Sequence, residues 1–310
     1  MTESATYWIY LKKNVSNYLS EAGGTGPNLK LVVEYHSESF ESLYPTIKAR
    51  IKQAKCSNII FNLDQCGYTH VTAQLIRDIM TSWQKAEVLL TFMISTLLAY
   101  LSPDKEKGGA RLDPVVREKI DTVLRDQGLL KKQEWLGECE KIVFDHLRSC
   151  APYVSPFSIA NPDGWKYWLM HFANSYRARQ VYNNVLHADG LAQAHFGRLG
   201  LNMLAYDALA GGGQLYIFDR SSRVQAIESL NHDIPRFIAE SGDMMGVEEF
   251  YAAAYSETPA HSDDIHKSII DNPDIEVITP NGGRRREAKT IDVGDTLKLK
   301  SQRSIIFGFK

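Results

Sequence analysis

The chain has 310 residues, of which 44% are apolar, and a formal net charge of −2. That length exceeds a typical single domain and suits two, and the near-neutral balance excludes a globally basic nucleic-acid binder while leaving local patches open. The four cysteines (Cys56, Cys66, Cys139, Cys150) form no CxxC pair and no secretory spacing, which points to a reducing, cytoplasmic setting; no apolar run has the length that spans a bilayer, and residues 1–10 lack the basic start and apolar stretch of a signal peptide.

In chain order, residues 5–20 place Trp8, Leu11, Val15 and Leu19 on one helical face, the periodicity of an amphipathic helix. Gly23, Gly24 and Gly26, before Pro27, break it. A phosphate cradle needs a strand before its glycines and a helix after them, so this cluster reads as a turn. Residues 29–35 (LKLVVEY) predict the first strand, which reaches an acid at Glu34, and a helix follows to about residue 55 with Ser37 as its N-cap. An acid at such a strand end either holds a ribose hydroxyl pair or faces solvent at an edge.

The next unit organises the rest. Ile59, Ile60, Phe61 and Leu63 form an apolar run that ends at Asp64; a glycine turn covers residues 65–70; Val71, Leu75, Ile76, Ile79 and Met80 then recur at three- and four-residue spacing. This predicts a buried strand, a loop and a crossover helix. Asp64, Gln65 and Tyr68 fall at the carboxyl end of the strand, where open α/β sheets place their ligands. Asp64 there either serves chemistry and a polar ligand or caps the turn. Residues 87–93 predict a third strand and 94–101 a helix, so 29–101 reads β-α-β-α-β-α, the pattern of a parallel, doubly wound sheet.

Residues 102–112 are a charged, glycine-containing loop, and 113–125 and 134–148 predict two helices. Cys139, His146 and Cys150 lack a regular zinc spacing and a fourth ligand, so no metal site is expected. Residues 153–159 and 166–172 predict an antiparallel hairpin about Asn161-Pro162-Asp163-Gly164, with His171 as a packed core residue, and 175–187 a helix. The composition shifts over 190–222: residues 195–206 look partly helical, and Gly211–Gly213 precede a short strand at 214–218. Residues 224–241, 247–256 and 261–272 predict three helices, the last with Ser262 as N-cap, and 275–279 and 284–291 predict a hairpin about Pro280-Asn281-Gly282-Gly283. Three helices and a two-stranded wing make a winged-helix layout. Arg284, Arg285 and Arg286 lie on that wing: a basic wing either contacts phosphates or is a solvated hairpin whose charges prevent edge pairing.

The segments F-N-L-D-Q-C-G-Y (61–68), L-I-R-D-I-M (75–80) and E-V-L-L-T-F-M (87–93) resemble the three-Cys-motif partner proteins (TcmP). So do L-V-V-E-Y-H-S-E-S-F-E-S-L (31–43), W-L-M-H-F-A-N (168–174), R-A-R-Q-V-Y-N (177–183) and I-D-V-G-D-T-L-K-L-K-S-Q (291–302). The resemblance covers roughly residues 29–310. It implies an α/β fold similar to the Rossmann-type methyltransferases that use S-adenosylmethionine; with the composition shift and the winged-helix layout read above, the domains are expected at 1–222 and 223–310. By the resemblance Glu34 would hold the cofactor's ribose, and Asp64, Gln65 and Tyr68 would line the catalytic edge. Arg284, Arg285 and Arg286 would meet nucleic acid. The family has Pro and Phe where this chain has Gln65 and Cys66, which weakens the analogy with amino-group transfer. Its initial strand and glycine loop have no counterpart before residue 29. The resemblance also implies a radical-SAM-like partner bearing the three-cysteine motif. Two functions follow as expectations: a methyltransferase-like enzyme acting on nucleic acid, or a non-catalytic partner protein on a degenerate methyltransferase scaffold, in a mobile-element or phage-defence setting.

Overall fold

A computed structural model describes residues 34–65, 67–101, 112–126, 132–160, 166–188, 194–196, 201, 215–217 and 220–301. The chain divides into two compact units, Met1–Tyr44 and Pro45–Lys310. The expected helix over 5–20, the glycine cluster and residues 29–33 of the expected first strand lie outside the described residues.

In the first unit, Glu34 and Tyr35 belong to no strand. Helix α1 (Phe40–Gln53) starts in this unit and runs across the boundary. Its N-cap is Ser39, not Ser37: the Ser39 hydroxyl accepts from the Ser42 backbone N–H at 3.3 Å, satisfying a donor that the first helical turn leaves without a partner.

The second unit is built on a mixed sheet. Strands β1 (Asn58–Asp64) and β2 (Lys85–Phe92) are its parallel pair, joined by α2 (Ala73–Ser82). Thr72 caps α2 by accepting from Leu75 N at 3.2 Å. Helices α3 (Ile94–Ala99), α4 (Pro114–Asp126) and α5 (Lys132–Arg148) follow. The hairpin β3 (Tyr153–Ala160) and β4 (Lys166–Ala173) then joins the sheet antiparallel. Its second strand, β4, pairs with β2, so the order is β1-β2-β4-β3. Thus β1, β2 and β3 run one way and β4 the other. The fold is mixed α/β, with one parallel pair among the described residues; the other expected parallel strand, 29–35, lies mostly outside them, and the hairpin is antiparallel as expected, with its return strand paired inward to β2.

Helix α6 (Tyr176–Ala188) follows β4. Two three-residue strands, β5 (Ala194–Phe196) and β6 (Leu215–Ile217), extend the sheet beyond β3. At the start of the stretch read as partly helical, pairing of Ala194 with Ser158 and Ile217 holds residues 194–196 extended, and residues 197–200 and 202–206 lie outside the described residues.

The register sorts the side chains by face. Phe61, Val88 and Phe172 lie in one row, and Leu63, Leu90 and Met170 in the next, all buried; Phe144 of α5 meets Trp168 edge-on at 6.5 Å. On the opposite face Ile60 and Asn62 of β1 are exposed, whereas His171 and Ala173 of β4 are buried beneath helices. β1 therefore alternates buried and exposed residues along its length, unlike a strand covered on both faces.

Helix α7 (Arg220–Glu240), β7 (Met244–Gly246), α8 (Val247–Glu257), α9 (Ser262–Asp271), β8 (Ile275–Ile278) and β9 (Thr296–Leu299) complete the chain. The strands form a second antiparallel sheet in the order β7-β9-β8. Leu230, Ile234, Phe250, Tyr255, Ile265 and Leu297 bury one cluster with Tyr153 and Ala173 of the large sheet, so these helices share a core with it. The expected strand over 284–291 does not form. Arg284 makes a single bridge to Ile278, a 3-10 turn occupies Ala288–Thr290, and the returning strand is Thr296–Leu299. The pattern explains it: Leu297 supplies the buried apolar residue that a pairing strand needs, and the arginine run has none.

Candidate functional site

The carboxyl ends of β1 and β2 meet at Asp64, whose register partner is Thr91. Asp64 is exposed, on the same open face as Ile60 and Asn62. The loop after it is held by Gln65, a buried residue. Its Oε1 accepts from the backbone N–H groups of His70 and Val71, both at 3.1 Å. The Gly67 N–H donates to Gln65 O at 3.0 Å, and Gly67 O accepts from Met93 N at 3.1 Å. Gly67 sits at φ +143°, a conformation that disfavours a side chain. Tyr68 packs on Phe92, with ring centroids 6.3 Å apart. Asp64, Gln65 and Tyr68 are thus gathered at one sheet edge as expected, but in different roles. Asp64 faces solvent, Gln65 organises the loop through its amide oxygen, and Tyr68 lies partly buried against the strand end of β2.

Glu34 is exposed in the first unit, with its carboxylate 3.5 Å from His36 Nε2. It belongs to no strand itself, and residues 29–33 of the strand expected to lead to it lie outside the described residues.

A second polar group lies under α6. The Glu87 carboxylate is 2.9 Å from Nε2 of buried His171. This hydrogen bond holds Glu87 below the usual carboxylate range, and burial lowers His171 despite its carboxylate partner. Together they describe a neutral imidazole donating Nε2–H to an ionised carboxylate. Tyr182 of α6 stacks on the His171 ring at 4.3 Å, and the Arg179 guanidinium lies 5.9 Å from the Tyr182 centroid. Sequence periodicity placed His171 in the core and missed Arg179, because an arginine in an amphipathic helix carries no local sign of burial.

The wing arginines separate. Arg285 donates from Nε and Nη2 to the buried Asp295 carboxylate at 2.9 and 3.1 Å, which makes it a structural clamp. Arg284 lies 3.2 Å from Glu276. Arg286 is exposed and makes no ion pair among the described residues. The helix before the wing, α9, carries Asp263, Asp264 and Asp271 against Lys267. Its N-cap is His261, whose Nδ1 accepts from Asp263 N at 3.1 Å. Ser262, the expected cap, is buried and bonded through its hydroxyl to Asn184 at 2.9 Å.

Cys139 and Cys150 are buried thiols, pushed up to about 12 and about 11 chiefly by burial. No group of three or more potential metal ligands occurs among the described residues, and no helix among them is long and apolar enough to cross a membrane. Comparison with protein-family models, curated proteins and solved structures found no match for this chain.

Proposed function

We propose that the chain is a methyltransferase-like protein of the three-Cys-motif partner kind. In this reading it takes S-adenosylmethionine at the carboxyl edge of a Rossmann-like sheet and acts on nucleic acid in the cytoplasm. The observation that carries the reading is the edge itself. β1 and β2 run parallel and end side by side, β4 runs antiparallel between β2 and β3, and an exposed acid, Asp64, stands where such sheets hold ligands. Asp64 faces cofactor and target, Gln65 sets the loop, and Tyr68 flanks it. The element order α7-β7-α8-α9-β8-β9, with its three-stranded sheet, supports a winged-helix-like reading of the C-terminal part. Within that reading Arg286 is the wing residue left for a phosphate contact. Calorimetry with S-adenosylmethionine and S-adenosylhomocysteine tests the cofactor. Saturable heat that Asp64→Asn weakens at least tenfold supports the site, and no heat at millimolar ligand from folded protein removes the enzyme.

A second reading, a non-catalytic partner protein working beside a radical-SAM-like protein or in phage defence, is favoured by two observations. The Gln65 oxygen is engaged by His70 and Val71, so the residue after the acid shapes the loop instead of presenting a carbonyl-and-ring pair to a target. Helix α9 is net acidic, with Asp263 and Asp271 exposed, and an acidic helix repels a phosphate backbone. Affinity capture that recovers a cysteine-rich partner, with no methyl transfer by the chain alone, is its expected outcome. Nucleic-acid methylation by the purified chain reverses it.

A further inference from the structure

Arg179 is 0% exposed, and its Nε, Nη1 and Nη2 make no hydrogen bond among the described residues. A guanidinium carries five N–H donors and stays charged, and a buried charge is stable only when paired and hydrogen-bonded. Its surroundings leave it short of a counter-ion. The charged groups that act on it are Arg148 and Glu257, and these two are joined to each other in an ion pair. Two guanidinium groups therefore share one carboxylate, and Arg179 is the one without a contact to it. The Tyr182 ring centroid lies 5.9 Å from the guanidinium, and the Tyr182 hydroxyl donates to Leu169 O at 3.5 Å.

One turn further along α6 lies Asn183, also fully buried. Residues four apart on a helix are neighbours on one face. Asn183 Nδ2 donates to Thr258 O at 3.0 Å and to Ala260 O at 3.3 Å. Two carbonyl acceptors fix which end of the amide is nitrogen, so Oδ1 is an acceptor, and it too has no partner. The place thus presents several unmet donors, one unmet acceptor and an excess positive charge. A fully ionised oxyanion answers the donors and the charge and leaves Asn183 Oδ1 unmet. An oxyanion that retains a proton answers all three, with acceptor oxygens for the guanidinium fork and one O–H for Asn183.

We propose that Arg179 and Asn183, between α6 and the carboxyl end of α8, form an internal binding site for a phosphate-class oxyanion in a protonated form. The site is separate from the sheet edge at Asp64 and does not depend on the reading of that edge. Burial draws the Arg179 guanidinium down to about 9 in the ligand-free chain, the direction a bound anion reverses.

The test is thermal unfolding and calorimetry of the full chain, titrated with inorganic phosphate, sulfate, acetate and chloride at matched ionic strength near neutral pH. Phosphate should bind saturably at one site and raise the Tm by about 5 °C at a hundredfold excess over its Kd. Sulfate, which brings no proton for Asn183, should bind at least tenfold more weakly. Arg179→Met, which removes the charge and keeps an apolar stem, should unfold in chloride at or above the wild-type temperature and show no phosphate shift. Should that variant not fold, Arg179→Lys, a point charge without the fork, should weaken phosphate at least tenfold. No saturable phosphate binding by wild type, or an equal phosphate shift in wild type and the Arg179 variant, overturns the proposal and leaves Arg179 solvated by internal water alone.

Discussion

The C-terminal region and the side of the large sheet beneath α6 bury polar groups in opposite ways. In the C-terminal region buried carboxylates meet arginine forks: Asp264 takes Arg223 at 2.7 and 2.8 Å, and Asp295 takes Arg285. Asn272 likewise donates to Asn231 O at 2.8 Å and accepts from Asp274 N at 2.9 Å. Beneath α6 and at the sheet edge, His171 Nδ1, Asn183 Oδ1, Gln65 Nε2 and the whole Arg179 guanidinium are left without partners. An unmet buried group costs about 1–3 kcal/mol and more when charged. What the C-terminal region leaves unmet is neutral, as with the Ser268 hydroxyl, whereas the group beneath α6 leaves a full charge unmet. The basic run on the wing, which looks functional in sequence, is largely internal structure, whereas α6, which looks like an ordinary surface helix, carries the unmet charge.

Substitution in the shared core should have the largest effect on this contrast. Phe250→Ala should cost about 3–5 kcal/mol, because Phe250 is fully buried in the cluster that also holds Tyr153 and Ala173. Urea unfolding followed by circular dichroism should remain one transition at a lower midpoint. Separate loss of the C-terminal helices with the sheet intact would break the view that the two regions share a core.

Acid should weaken the protein next most. Burial draws His187 down from 6.5 to about 4, against its hydrogen bond to Pro259 O, so between those values the unfolded chain holds a proton that the folded chain refuses. Stability from this group is complete above pH 6.5 and is lost as the pH falls toward 4, by on the order of 3 kcal/mol at most. His146, His171 and His266 are shifted the same way by burial, and the lowered Glu87 adds a loss below its ordinary value of 4.5. Chemical denaturation at pH 7, 5.5 and 4.5 should show the decline, and His187→Gln should flatten it. A slope equal in both proteins would assign the acid loss to other groups.

A smaller effect sharpens the account of the sheet edge. Gln65→Ala leaves the His70 and Val71 N–H groups without their acceptor and should cost about 1–3 kcal/mol. Amide hydrogen exchange at those two positions should accelerate ahead of the rest of the sheet. Unchanged protection there would show that the loop is held by its backbone contacts to Met93 instead. The smallest effect belongs to the open face of β1. Ile60 is 69% exposed, so Ile60→Thr should change stability by no more than about 0.5 kcal/mol. A loss above 1 kcal/mol in the full chain would contradict the exposure of this face.

By itself the sequence determined most of the local elements. Apolar alternation and helical spacing marked β1, β2, the β3–β4 hairpin and helices α2 to α9, since these signals depend on residues a few positions apart. It brought Asp64, Gln65 and Tyr68 to one sheet edge, because a strand, a glycine turn and a crossover helix leave little choice of where the turn goes. Tertiary structure alone decided the rest. The inward pairing of β4 with β2, the three-residue strand Met244–Gly246 and the late return at Thr296–Leu299 each depend on a partner far along the chain, and no local pattern encodes that choice. The same holds for side-chain roles. Gln65 as a loop anchor, Arg285 as a clamp on Asp295 and Arg179 as a buried cation follow from which neighbours fold against them. Charge and hydrogen-bonding capacity are written in the residue, but the surrounding solvent or protein that must satisfy them is set only when the chain closes.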